Sequence, residues 1–119
     1  MTDKQGVPAG FAPALARLDG DITLLRAMAV ITSEDLPAVQ SEIEAAIDEA
    51  DCVQTATALH RIKGMLSTFQ SDGIVLDIQE IVDLARQRRG KEMTTLYRKH
   101  KPRIDDLIER IREVASTAD

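Results

Sequence analysis

Buriable residues recur along most of this chain at intervals of three and four, the spacing that gathers them on one side of an α-helix. The clearest case follows Asp51. Cys52, Thr55, Leu59, Ile62, Leu66 and Phe69 are separated by steps of 3, 4, 3, 4 and 3, which describes a single buried stripe, and Asp51 suits its N-cap. Ahead of it, Phe11, Leu15 and Leu18 predict a short helix ended by the Asp19-Gly20-Asp21 turn. Asp21 then caps a segment carrying Ile22, Leu24, Leu25, Met28 and Ile31. A break is expected at Ser33 or Glu34, with Pro37 in the first turn of a helix bearing Val39, Ile43, Ala46 and Ile47. The alternative is one helix kinked at Pro37.

Gln70 to Gly73 reads as a turn. Ile74, Ile78, Ile81 and Ala85 form another stripe, running to Gly90 as its left-handed C-terminal residue. Met93, Leu96, Tyr97, His100, Ile104, Leu107, Ile108, Ile111 and Val114 form the last, which Pro102 should kink or split. Residues 1–10, with Gly6, Pro8 and Gly10, read as a flexible arm. No stretch alternates like a strand. Short links between amphipathic helices make neighbours antiparallel, so the expected fold is all-α: an up-down four-helix bundle over 11–119 with a short additional N-terminal helix.

Composition agrees. Aromatics are 3% of 119 residues, so the core must be aliphatic, which suits packed helices. The net charge of −5 argues against a general nucleic-acid binder, since phosphate contacts need clustered bases. That total hides an asymmetry. Residues 1–59 carry three bases and ten acids, a net of −7, and residues 60–119 carry twelve and ten, a net of +2. The lone Cys52 gives no sign of an oxidising compartment, and the first residues lack the apolar stretch of a signal peptide. The apolar run from Leu24 to Ile31 is interrupted by Arg26 and too short to span a bilayer. A cytoplasmic monomer is expected.

Gly64 does not fit a plain bundle. It sits inside the strongest helical stripe, where glycine costs about 0.8–1 kcal/mol relative to alanine. A close helix crossing would explain it, but the geometry points elsewhere. At about 100° per residue the buried stripe centres roughly 130° from His60, and Gly64 lies about 40° from His60, away from the core. Val53, Ala56, Thr57 and Ser67 share that face, so small side chains surround one imidazole, with Lys63 at its flank. A free imidazole, with its ordinary pKa near about 6.5, is mostly neutral at pH 7, so a ring nitrogen can attack phosphorus. The phosphoryl group gained would meet Lys63 as a charged partner. Gly64 would leave room for it to approach.

The run Ala58-Leu59-His60-Arg61-Ile62-Lys63-Gly64 resembles the H-x-[L/I]-K-G signature of the histidine phosphotransfer (HPt) domains of bacterial two-component phosphorelays. Phe11 to Asp21 followed by Leu24-Leu25 is similar to the family's opening helix and turn, and Glu34-Asp35-Leu36-Pro37, Ile43, Ala46 and Asp51 follow its spacing. Gln70 departs from the pattern, standing where members often carry glycine. The resemblance implies that His60 accepts a phosphoryl group from a receiver's phospho-aspartate and passes it to another, with no kinase or phosphatase activity of its own. It implies Lys63 as phosphate partner and Gly64 as the access gap, and places Arg61, Thr57 and Ser67 in the docking face. Gln79 and Arg86, two turns apart on the next helix, stand where some relatives hold the imidazole or phosphate; a solvated face is the competing reading. No cofactor or metal is implied for this chain, Mg²⁺ belonging to the receiver. Receiver domains are the implied partners, and the resemblance also admits a hybrid sensor kinase.

Two other classes compete. One is an interaction module that binds a receiver or kinase without carrying phosphate. The other is a kinase dimerisation domain, whose histidine is usually followed by an acid, whereas Arg61 follows here. His100 falls on the apolar stripe and reads as a partly buried structural histidine. Cys52 reads as a small core residue. The runs Arg86-Gln87-Arg88-Arg89-Gly90-Lys91 and Arg98-Lys99-His100-Lys101 read as solvated faces.

Overall fold

A computed structural model describes residues 9–70 and 73–116. A 3₁₀ turn, Ala9–Phe11, leads into α1 (Ala12–Arg17), α2 (Ile22–Asp48), α3 (Cys52–Ser67), α4 (Ile74–Arg86) and α5 (Gly90–Ser116), with no strand among the described residues. α2 packs on α3 and α5, and α4 packs on the same two. With their short links this makes an antiparallel four-helix bundle, and α1 is the additional helix. Of the arm expected over 1–10, residues 1–8 lie outside the described residues, while Ala9 and Gly10 belong to the 3₁₀ turn. The expected turn at Gln70–Gly73 is described only at Gln70 and Gly73.

Asp21 and Asp51 cap as expected: each accepts at 3.0 Å from a backbone N–H, of Leu24 and Gln54 respectively. α2 and α5 have 27 residues each, against 16 and 13 for α3 and α4, so the long pair overhangs the short one. α1 covers the overhang. Phe11 and Phe69 are buried there with ring centroids 5.6 Å apart, the Arg110 guanidinium lies over Phe11 at 5.9 Å, and Arg17 donates to the Thr68 carbonyl at 3.2 Å. Two of the three aromatic residues thus close one end of an otherwise aliphatic core.

Several sequence expectations are corrected. No break occurs at Ser33 or Glu34: α2 is one helix through Pro37, as the alternative reading had it, and α5 is not split at Pro102. Both prolines face solvent, so the carbonyl each deprives of an intrahelical bond lies toward water. The buried runs Leu36, Val39, Ile43 and Tyr97, His100, Ile104 hold the helix on either side. Leu24 and Ile31, expected in the stripe, are 44% and 62% exposed; Leu25 is buried as expected, together with Ala29.

Gly90 is not the left-handed end of α4 but the first residue of α5. That place is taken by Arg88, at φ 58°. Its N–H donates to the Ala85 carbonyl and the Arg89 N–H to the Leu84 carbonyl, both at 3.0 Å, the paired bonds of a Schellman turn. Ala50, at φ 55°, ends α2 in the same way, with Asp51 donating back to Ala46 at 2.9 Å. A Cβ in this conformation costs about 1–2 kcal/mol. Ala50→Gly should therefore raise stability by about 1 kcal/mol, read as a higher denaturant midpoint with an unchanged slope.

α5 is fixed on α2 by the Tyr97 hydroxyl, which donates to Glu44, and by Arg98, which donates to the same carboxylate at 2.8 Å. Burial alone would raise the Glu44 pKa; the Tyr97 hydrogen bond and the Arg98 charge outweigh it and hold the carboxyl below its usual value. A carboxyl lowered in the folded state stabilises the fold above its unfolded pKa, and this is lost as pH falls through the folded one. Tyr97→Phe should cost about 1 kcal/mol near neutral pH. The gap between variant and wild type should shrink on acidification through the carboxylate range, which parallel urea titrations at several pH values would measure.

Candidate functional site

The stripe on α3 buries Thr55, Ala56, Ala58, Leu59, Ile62 and Leu66, which turns Val53, Thr57, His60 and Gly64 outward, all exposed. This is the small-residue face expected around His60, except that Ala56, expected on it, is buried. A Cβ on Gly64 would meet nothing within 4 Å, so no helix crosses there and the close-packing explanation for this glycine fails. The Thr57 hydroxyl donates to the Val53 carbonyl and the Ser67 hydroxyl to the Gly64 carbonyl, each at 3.0 Å. Both hydroxyls are folded back on their own helix, which keeps the contour low.

Helical side chains lean toward the preceding turn, so the His60 ring leans over Ala56 and Thr57. There it borders a groove of about 410 Å³ between α3 and the C-terminal end of α4, lined also by Cys52, Val53, Ala85, Arg86 and Arg88. The groove is cationic: no carboxylate lines it, and among the described residues none pairs with Arg86 or Arg88.

Lys63 lies on the α4 side of His60, half-buried, and its ammonium donates to Gln79 Oε1. Gln79 Nε2 in turn donates to Asp83 Oδ1 at 2.9 Å. Gln79 is therefore no solvated bystander: it holds Lys63 rather than the imidazole. Arg86 reaches the groove, so the two α4 residues serve different sides of His60. Arg61 turns to the other flank and pairs with Glu42 on α2 at 3.5 Å, with both side chains more than half exposed, a contact of small energetic weight.

Sequence reasoning missed Asp83 and Arg88. The signal for Asp83 was its place one helical turn beyond Gln79. Arg88 was hidden in a basic run read as a solvated face. His100 is buried against α4, its Nδ1 3.9 Å from Asp77 Oδ2, while Arg103 pairs with Asp77 at 2.7 Å; it is remote from His60. Cys52 is half-buried rather than a core residue proper, and a Cβ on Gly90 would sit 3.6 Å from its sulfur. Among the described residues no three His, Cys, Asp or Glu side chains group around a common point for a metal ion, and no helix is long and apolar enough to cross a membrane.

A family model for the Hpt domain matches residues 27–114, about three quarters of the chain, with the whole of α3, α4 and the groove inside it. Comparisons with curated proteins and with solved structures find no match.

Because Gly64 is exposed and uncrowded, its only structural effect is the helix propensity it sacrifices. Gly64→Ala should stabilise the bundle by about 0.8–1 kcal/mol, measured as a rise in the thermal or denaturant midpoint; a loss of stability would restore the packing explanation.

Proposed function

The chain belongs to the Hpt domain family, the histidine-containing phosphotransfer modules of two-component phosphorelays, and on that basis we propose that His60 carries a phosphoryl group between receiver domains. The observation that carries this reading is the exposed imidazole of His60 on a face of small residues, bordered by an open gap at Gly64 and a cationic groove. In the transfer, the lone pair of the His60 Nε2 attacks the phosphorus of a receiver's aspartyl phosphate in line. The bond from phosphorus to the aspartate oxygen breaks and leaves a carboxylate on the receiver, while the ring proton stays on Nδ1. Return to a second receiver reverses the step. The acidic catalytic residues and Mg²⁺ are those of the receiver. This chain supplies the nucleophile, the cations that meet the phosphoryl charge and the clearance for docking, and has no kinase or phosphatase activity of its own.

Lys63 is the nearest of those cations along α3. Its bond to Gln79 keeps the ammonium on the α4 side of His60, ready to exchange the amide oxygen for phosphate, a stronger charged acceptor. Docking uses the surface around His60. Val53 is 60% exposed beside it. Leu76, 60% exposed, adjoins Gln79 on α4. Apolar side chains of α3 and α4 thus flank the site, and an interface of modest size would let a receiver leave after transfer. Thr57, Ser67 and Arg61 belong to the same surface. A receiver, whether free or part of a hybrid sensor kinase, is the partner, met by a monomer in the cytoplasm.

Incubation with a phosphorylated receiver should place acid-labile, base-stable phosphate on the wild-type protein and none on His60→Gln. Binding without label on the wild type would make the bundle an interaction module instead. Gly64→Gln, with unchanged helical circular dichroism, should slow transfer at least about tenfold, equivalent to about 1.4 kcal/mol of barrier.

A further inference from the structure

The basic run after α4 is sorted by the structure into three directions. Arg89 is paired with Glu92. Lys91 lines a different groove, with Leu84, Thr95 and Lys99. Arg86 and Arg88 line the groove of His60. Arg86 occupies the last turn of α4, where its place follows from the helix. Arg88 does not owe its place to a helix: it sits in the left-handed conformation at φ 58°, fixed by the two turn bonds that end α4. Glycine takes that conformation without a Cβ clash and is the usual residue there. Here the position carries instead a guanidinium with five donors and, among the described residues, no carboxylate partner.

We propose that Arg88 is a phosphate-binding residue of this groove, contacting the phosphoryl group on His60 from the side opposite Lys63. The proposal rests on His60 being the phosphoacceptor. The His60 ring leans over Ala56 and Thr57, so a group on its outer nitrogen projects into the groove whose far wall is the α4–α5 turn. Lys63 approaches from the following turn of α3, tethered to Gln79. A tetrahedral dianion with three terminal oxygens can take donors from both directions, and a planar guanidinium suits two of those oxygens. Left-handed backbone alone would mean little, because Asp19 and Ala50 share it. What distinguishes Arg88 is a position where glycine is favoured, a side chain without an ion pair, and a shared cavity with the nucleophile.

The test uses a small donor and so needs no cognate receiver. Phosphoramidate is supplied to the full chain: the lone pair of the His60 nitrogen attacks phosphorus, the donor's P–N bond breaks, and the amide leaves as ammonia with a proton taken from water. The loss of the Nδ1 proton from the phosphorylated imidazole, which shifts the attached phosphorus resonance, is then followed by ³¹P NMR across pH. A neighbouring cation disfavours the protonated ring and lowers that pKa. Arg88→Gly should raise it by about half a unit, a modest shift for an exposed pair, while the denaturation midpoint rises because the turn gains its preferred residue. Arg88→Lys should restore most of the wild-type value. Lys91→Ala removes the same charge from the other groove and should leave the titration unmoved.

An Arg88→Gly protein that titrates like wild type overturns the assignment, as does an equal shift in Lys91→Ala, which would mean a diffuse charge effect. Absence of label on wild type would instead overturn the reading of His60, and the Arg88 assignment with it.

Discussion

The site depends on how firmly α3 is rolled into the bundle. Leu59, Ile62 and Leu66 are fully buried between α2 and α4, each contributing on the order of 1.5–3 kcal/mol by leaving water. Rotating α3 enough to bury His60 would expose that stripe, so the outward direction of the imidazole follows from the core and needs no hydrogen bond to hold it. The same rotation sets the small residues Thr57, Gly64 and Ser67 around the ring. The neighbouring helices then supply what α3 cannot, a cationic wall from α4 on one flank and an acidic partner for Arg61 from α2 on the other. One packing decision fixes nucleophile, clearance and walls together.

Charge is organised locally against the chain's average. The net charge of −5 says nothing of the groove, where His60 faces Arg86 and Arg88 with no carboxylate among the lining residues. Several acids of the second half pair elsewhere: Asp77 with Arg103, Asp105 with Lys101, Glu92 with Arg89. Asp83 stands near the site, and it reaches Lys63 through Gln79. The amide keeps a negative charge one residue removed from the cation while still orienting it.

What could be read from the sequence was what is decided within a few residues. Asp21 and Asp51 are caps because a carboxylate two or three residues ahead of free N–H groups has few better uses. The α3 stripe and the outward Gly64 follow from the helical repeat alone. Failures lie where tertiary packing outweighs local preference. Pro37 and Pro102 looked like breaks because the missing N–H is local, while the buried residues of α2 and α5 that carry the helices through them act by packing against other helices. Gly90 looked like the end of α4 because glycine is favoured there, yet Arg88 takes the left-handed position two residues earlier. Gln79 could not be told from a solvated residue without knowing that α3 presents Lys63 to it.

A carrier must release what it accepts, and this limits how its cations can be built. A buried, fully paired phosphate site would hold the group too well, since a charge-assisted bond strengthens as water is excluded. Arg86 and Arg88 are exposed and Lys63 is only half-buried, so water screens each contact and none dominates. On the proposed reading, several weak cations spread around an open groove would meet the phosphoryl charge during transfer and still leave it available to the next acceptor. On that reading the tether of Lys63 to Gln79 would work the same way, the ammonium leaving one neutral acceptor for the phosphoryl group and returning to it once the group departs. Reversibility then comes from exposure, and exposure comes from the outward roll of α3.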